Sequence, residues 1–175
     1  MGDILKSVVK ELPKNAVSTA NFEGANIVLY TEDKEFFNTG EDQIRKVVNQ
    51  IKKRIELRAE QSLLMDEAKT KKMIESIIPE EAEITDIIFD TQRSIVIIES
   101  KKPGIAIGKG GEILHNLKKE TFWTPQIQRS PAIRSKITEA IRQVLYANDT
   151  YRKKFLNNIG KKIYSKWNPE KREEW

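Results

Sequence analysis

Two stretches about seventy residues apart repeat one another, and a repeat of that period restricts the fold more than any other feature of the chain. Leu12–Gly24, LPKNAVSTANFEG, aligns with Ile78–Asp90, IPEEAEITDIIFD; the proline, an alanine and a threonine match, and a phenylalanine matches with a one-residue shift. Each copy follows a short helical pattern, Ile4, Leu5, Val8, Val9 and Leu12 in the first and Met73, Ile74, Ile77 and Ile78 in the second. Each precedes a strand-like run, NIVLY and then SIVIIE, rich in β-branched residues. The repeated unit is helix, strand, strand, with the proline closing each leading helix. Solenoid repeats are shorter, so the pattern predicts two small tandem domains. Their boundary falls near Gln61–Asp66, where no Gly- or Pro-rich linker marks it.

The second copy continues into KKPGIAIGKGGEILHNLKKETFWTPQIQRSP. Pro103 opens a helical turn, the glycines interrupt it, and Glu112 to Glu120 resumes as a helix with Ile113, Leu114 and Leu117 on one face. TPQIQRSP then reads as a short strand bounded by prolines. The order is helix, strand, strand, helix, glycine turn, helix, strand, which is an α+β domain. AIRSKITEAIRQVLYA and TYRKKFLNNIGKKIYSK follow as amphipathic helices, the last with Tyr151, Phe155, Ile159 and Ile163 at four-residue spacing.

The glycine turn fails two tests for nucleotide binding. A Walker phosphate loop needs four residues before its Gly-Lys pair and Ser or Thr after it; here Gly104 is one residue too close to Gly108, and Gly110 follows the lysine. A dinucleotide fingerprint needs glycine where Ile113 stands, directly after a strand. What remains is GxxG, Gly108-Lys109-Gly110-Gly111, joining two helices.

Charge and composition narrow the chemistry. The formal charge of +5 is uneven: 1–65 carries ten basic and ten acidic side chains, 66–100 four against nine, and 101–175 seventeen against seven. The excess lies with the glycine turn, as phosphate attraction requires. There is no cysteine and only one histidine, His115, which excludes disulfides, thiolate sites and histidine-rich metal catalysis. No nucleophile-base pair can be assembled for an enzyme acting alone. No run approaches the roughly 18 apolar residues of a membrane span, and MGDILKSVVKELP has no signal-peptide core, so a cytoplasmic location without membrane is expected.

In this context GIAIGKGGEIL resembles the signature of a KH domain, and the element order resembles its prokaryotic type, type II. That resemblance implies two tandem type II KH-like domains with a helical carboxyl tail: 1–62 without GxxG, 63–147 with it, and 148–175 as a basic tail. It also implies single-stranded RNA as the partner, its backbone clamped at the GxxG loop. Glycines admit phosphate to the amides, the following helix offers its positive end, and Lys109 adds a charge. The expected contacts are Gly108, Lys109, Gly110 and Gly111, the groove residues Ile105, Ile107 and Leu114, and the cations Lys118 and Arg129. Against this stands a protein-interaction module whose glycine turn is structural.

Four motifs in one order, PEEAEITDIIFD, KPGIAIGKGGEILHNL, WTPQIQRSP and FLNNIGKKIY, extend the resemblance over most of 1–168. They resemble the KH region of the archaeal cleavage and polyadenylation specificity factor-like family of β-CASP metallo-β-lactamase ribonucleases. Members of that family carry a zinc-dependent nuclease domain after this region, cut RNA near U-rich 3′ ends and take part in transcription termination. The resemblance implies an RNA-guiding region with no catalysis or cofactor of its own, zinc belonging to the nuclease domain. It implies homodimerisation through that domain and contact with the transcription machinery.

Aligned on Ile44 and Ile113, FFNTGEDQI sets Thr39, Gly40, Glu41 and Asp42 against the four loop residues. Two carboxylates stand where phosphate would lie, so the first copy is expected to pack on its neighbour or bind protein. Trp123 and Phe122 read as core or interface. Gln126 and Gln128 share one face of the last strand and Arg129 takes the other; which meets RNA is open. The last helix either tracks RNA backbone or docks by its apolar stripe.

Overall fold

In the computed structural model, residues 2–131, 135–146 and 149–166 are described. Residues 1–130 form one compact unit and 131–175 a second. By sequence the second domain extends to 147; the compact unit ends at Ser130, and the next helix groups with the tail.

The first unit holds two lobes of one design. In the first, α1 (Gly2–Lys10) precedes the strands β1 (Thr19–Glu23) and β2 (Asn26–Thr31). Helices α2 (Lys34–Thr39) and α3 (Glu41–Ile51) then lead to β3 (Ile55–Ala59). In the second, α4 (Glu67–Ile77), β4 (Ile84–Asp90), β5 (Ile95–Ser100), α5 (Pro103–Ile107), α6 (Glu112–Thr121) and β6 (Thr124–Arg129) follow in the same order. Each lobe has a three-stranded sheet, β1-β2-β3 or β4-β5-β6, whose first pair is antiparallel and second parallel. A parallel pair needs a crossover, and the helix pair before the last strand supplies it.

The repeat seen in the sequence is a repeated turn. Ala16 N–H donates to Pro13 O at 3.1 Å, and Ala82 N–H donates to Pro79 O at 3.0 Å. The matched residues Leu12 and Ile78, and Ala16 and Ala82, are buried in their respective cores. Local signals fix the helices too: the Asp33 carboxylate accepts from Glu35 and Phe36 N–H, and that of Asp66 from Ala68 and Lys69 N–H.

Val96 and Ile98 of β5 join the helix-side core with Ile74, Leu117 and Trp123. Ile95, Ile97 and Glu99 point to the opposite face and are buried as well, which explains an unbroken apolar run where a half-exposed strand would alternate.

The lobes are joined at named points. Leu64 packs against both cores. Met65 N–H donates to Thr121 O at 3.0 Å, and Trp123 Nε1 donates to Met65 O at 2.8 Å, so the linker is pinned on both sides of one residue. Arg58, 3% exposed, donates to both oxygens of Glu23 at 2.9 and 3.0 Å, to Glu56 Oε1 at 3.0 Å, and to the Arg93 carbonyl of the other lobe at 3.4 Å. Burial opposes its charge, yet the hydrogen bonds to Glu56 and Glu23 hold the guanidinium above its ordinary pKa.

The second unit contains α7 (Lys136–Leu145) and α8 (Asp149–Lys166). Arg152 caps α7, its Nε donating to Val144 O at 3.2 Å and its Nη2 to Leu145 O at 2.8 Å. Ile137, Ala140, Ile141, Val144, Leu145 and Phe155 line an apolar groove of about 480 Å³. No helix among the described residues is long and apolar enough to cross a membrane.

Candidate nucleic-acid interface

The glycine turn begins from an anchored start. Lys101 N–H donates to Glu83 O and Lys102 N–H to Ala82 O, while both lysine ammonium groups reach the Glu83 carboxylate, at 2.9 and 2.7 Å. Hydrogen bonds from Lys102 and then Lys101 hold that carboxyl down to about 2. Pro103 then occupies the first helical position of α5.

Gly108 ends α5 with φ 77° and ψ 176°, a conformation essentially reserved for glycine. A Cβ there would also lie 2.8 Å from Ile113 Cγ1. Gly110 and Gly111 are left-handed, with φ of 63° and 82°. The backbone path therefore requires glycine at Gly108 and favours it at Gly110 and Gly111, where a Cβ would meet nothing within 4 Å, beyond the close approach that sequence alone suggests. Lys109 between them is exposed. The amides of Lys109 and Gly110 have no hydrogen-bond partner among the described residues, and α6 starts at Glu112, so partial positive charge gathers at the turn.

Around this turn the fold gathers most of the expected contacts. Ala106 is the inward residue of α5, fully buried; Ile105 is 39% exposed and Ile107 half-buried beside it. Leu114, on the first turn of α6, is half-buried. Arg129 pairs in register with Ser100, just before the Lys101–Lys102 anchor. Ile127 belongs to the helix-side core, and strand alternation puts Arg129 on that same helix-bearing face. Gln126 and Gln128 take the opposite face.

Lys118 stands elsewhere. Its ammonium lies 5.0 Å from the ring centroid of Phe37 in the first lobe, and burial pushes its pKa down while Glu41 and Glu56 oppose the shift. Phe122 packs on the same ring with centroids 5.5 Å apart, and Lys34 Nζ stands 5.8 Å over Phe122. His115 Nδ1 is 3.8 Å from Glu41 Oε1. The sequence allows the first copy to pack on its neighbour and Phe122 to be an interface residue, but does not show the part of Lys118 here. Phe36 and Phe37 are both buried in the first lobe's core, and it is the Phe37 ring that Phe122 and Lys118 meet. Trp123 is core, 1% exposed and edge-on to Phe89 at 5.0 Å.

The counterpart of the turn in the first lobe is closed. Gly40 is ordinary helical backbone, φ −73° and ψ −3°; its N–H donates to Phe36 O at 2.8 Å, and its carbonyl accepts from Ile44 N–H at 3.0 Å. The Gly40 amide is thus taken up by α2 and its carbonyl by α3, and no left-handed glycine turn forms between the two helices. A Cβ on Gly40 would fall 2.5 Å from Phe36 O, so this glycine serves close packing. Among the described residues, no group of three or more His, Asp or Glu could hold a metal ion.

A helix-strand-strand-helix-helix-strand unit with a left-handed glycine turn between its paired helices defines a KH domain of the prokaryotic type. The family model described as "KH domain" matches residues 69–122, and one described as "Transcription termination factor FttA, KH domain" matches 1–64. The chain thus carries two KH domains in tandem. It is homologous to archaeal transcription termination factors: it is 40% identical to Transcription termination factor FttA of Methanothermobacter thermautotrophicus, over 99% of this chain and 27% of that protein. Identity is 37% to the FttA of Pyrococcus horikoshii, over 99% and 26%. For that of Methanocaldococcus jannaschii it is 39%, over 93% and 25%. The chain spans about a quarter of the length of the curated relatives it matches.

Proposed function

We propose that this chain binds single-stranded RNA at Gly108–Gly111 and guides it within an archaeal machinery of transcription termination and mRNA 3′-end processing. The observation that carries this reading is the turn itself, with three glycines at positive φ, an exposed Lys109 and unpartnered amides at the start of α6. Ile105, Ile107 and Leu114 would supply the apolar wall on which bases rest, and Arg129 a further cation. U-rich RNA is the sequence class to try first, and the transcription machinery the macromolecular partner, in the cytoplasm.

The support for the wider assignment is the resemblance to β-CASP ribonucleases together with relatives nearly four times as long. In such a parent the nuclease domain would hold zinc and form the homodimer contact. The described residues of this chain offer zinc no site, so hydrolysis is not assigned to them. Their contribution would be to raise the effective concentration of RNA at a tethered active site.

Filter binding to labelled single-stranded RNA tests the reading. Lys109→Asp with Gly110→Asp places repulsion where phosphate would sit, and affinity should fall while unfolding stays cooperative. About four neutralised phosphates at about 0.7 each give a slope of log affinity on log salt near −3. Unchanged affinity in the aspartate pair would leave the turn a structural element of a protein-interaction module.

A further inference from the structure

We infer that the first KH lobe positions the RNA loop of the second through Phe37 and Phe122, with Lys118 as the third member of the brace. This rests on the loop being the RNA site. His115, Lys118 and Phe122 stand at i, i+3 and i+7, one stripe of α6 that continues onto its C-terminal cap. That stripe meets Glu41, Phe37 and Lys34 of the first lobe. The other side of α6, through Leu117, enters the second lobe's own core. The helix that begins at the glycine turn is therefore gripped from two sides, and one grip belongs to a lobe whose own loop is closed.

Two independent features single out the aromatic pair. Phe122 caps α6 at φ 61°, where a bulky side chain is strained and glycine is the usual residue. Its ring is nevertheless packed against the first lobe's core, on Phe37, so the contact keeps a residue that the backbone disfavours. Lys118 keeps its ammonium over Phe37 although burial disfavours its charge. Both are arranged for the partner lobe at a local expense.

Leverage makes the grip matter. From Lys118 back to Gly111 the helix runs roughly 10 Å, so a tilt of about 10° moves the turn by almost 2 Å. Displacements of that size separate a made hydrogen bond from a lost one. The brace thus sets whether the amides of Lys109 and Gly110 converge on one phosphate, without touching RNA.

The test uses residues 1–175 throughout. Phe122→Gly removes the ring but suits the left-handed cap, so folding is preserved even if Phe37→Leu proves unstable. Each variant should bind U-rich single-stranded RNA about tenfold more weakly, as misplaced binding groups do. The salt slope should remain that of the parent chain, and the amide NMR signals of Gly108, Gly110 and Gly111 should shift in the absence of RNA. Lys118→Met should behave likewise, and Lys118→Arg should restore affinity. Parental affinity in folded Phe122→Gly overturns the inference, as does a slope shallower by about 0.7 in Lys118→Met, which would make Lys118 a phosphate contact. The Lys109/Gly110 aspartate pair runs alongside; if it binds as the parent does, the loop assignment itself fails, a result distinct from failure of the brace.

Discussion

Gly104 and Gly108 stand one helical turn apart and should respond oppositely to alanine. At Gly104 a Cβ meets nothing within 4 Å, so Gly104→Ala should stabilise by about 0.4–1 kcal/mol, chiefly by restricting the unfolded chain. At Gly108 the new Cβ meets Ile113 and the backbone is one that alanine does not adopt; a loss of about 1–3 kcal/mol is expected. Urea denaturation of both variants checks the pair. Glu83 gives a residue-level pH signature. Its folded pKa of about 2 lies below the ordinary 4.5, so its contribution is fully present above that ordinary value and fades as pH falls toward 2. Glu83→Gln should flatten the curve of urea midpoint against pH between those limits while leaving its shape at neutral pH unchanged.

At the scale of elements, the proline that closes each leading helix, the strand β5 and the order of the second domain were legible because each rests on local chemistry. The state of the first lobe's junction was not. Gly40 looks like the remnant of a GxxG loop, but its φ is ordinary and its purpose is steric, which no pattern of residue types distinguishes. Parity along β6 separated Gln126 and Gln128 from Arg129, yet which side carried the helices depended on Ile127 entering the core. Lys118 is expected from sequence among the RNA-contacting cations, and only the packing of the first lobe shows it standing over Phe37, with His115 near Glu41. The linker invites a direct test. Trp123→Phe removes the donor to Met65 O inside a packed core, and should cost about 1–3 kcal/mol, read as a lowered midpoint of thermal unfolding.

For the whole molecule, tandem organisation was legible from one repeat. By sequence the second domain runs on to 147, whereas the compact units divide between Ser130 and Pro131, at the proline that closes the last strand; a proline after a strand marks a turn and does not say which side the next helix packs on. Charge asymmetry pointed to the part of the chain that carries the glycine turn, but a basic surface alone would not have chosen four residues within it. Purified residues 1–175, incubated with labelled U-rich RNA and zinc, are expected to leave the RNA intact; cleavage lost in His115→Ala would reverse the binding-module reading. The parallel pairing of β5 with β6 bears on timing. The glycine turn lies inside the crossover between these strands, so during synthesis it leaves the ribosome before the strand that closes its sheet. Parallel pairs close late, because a long loop must be ordered first. A nascent chain halted before Thr124 should therefore carry all four loop residues and still fail to retain RNA, capture beginning only once Thr124–Arg129 has docked beside β5.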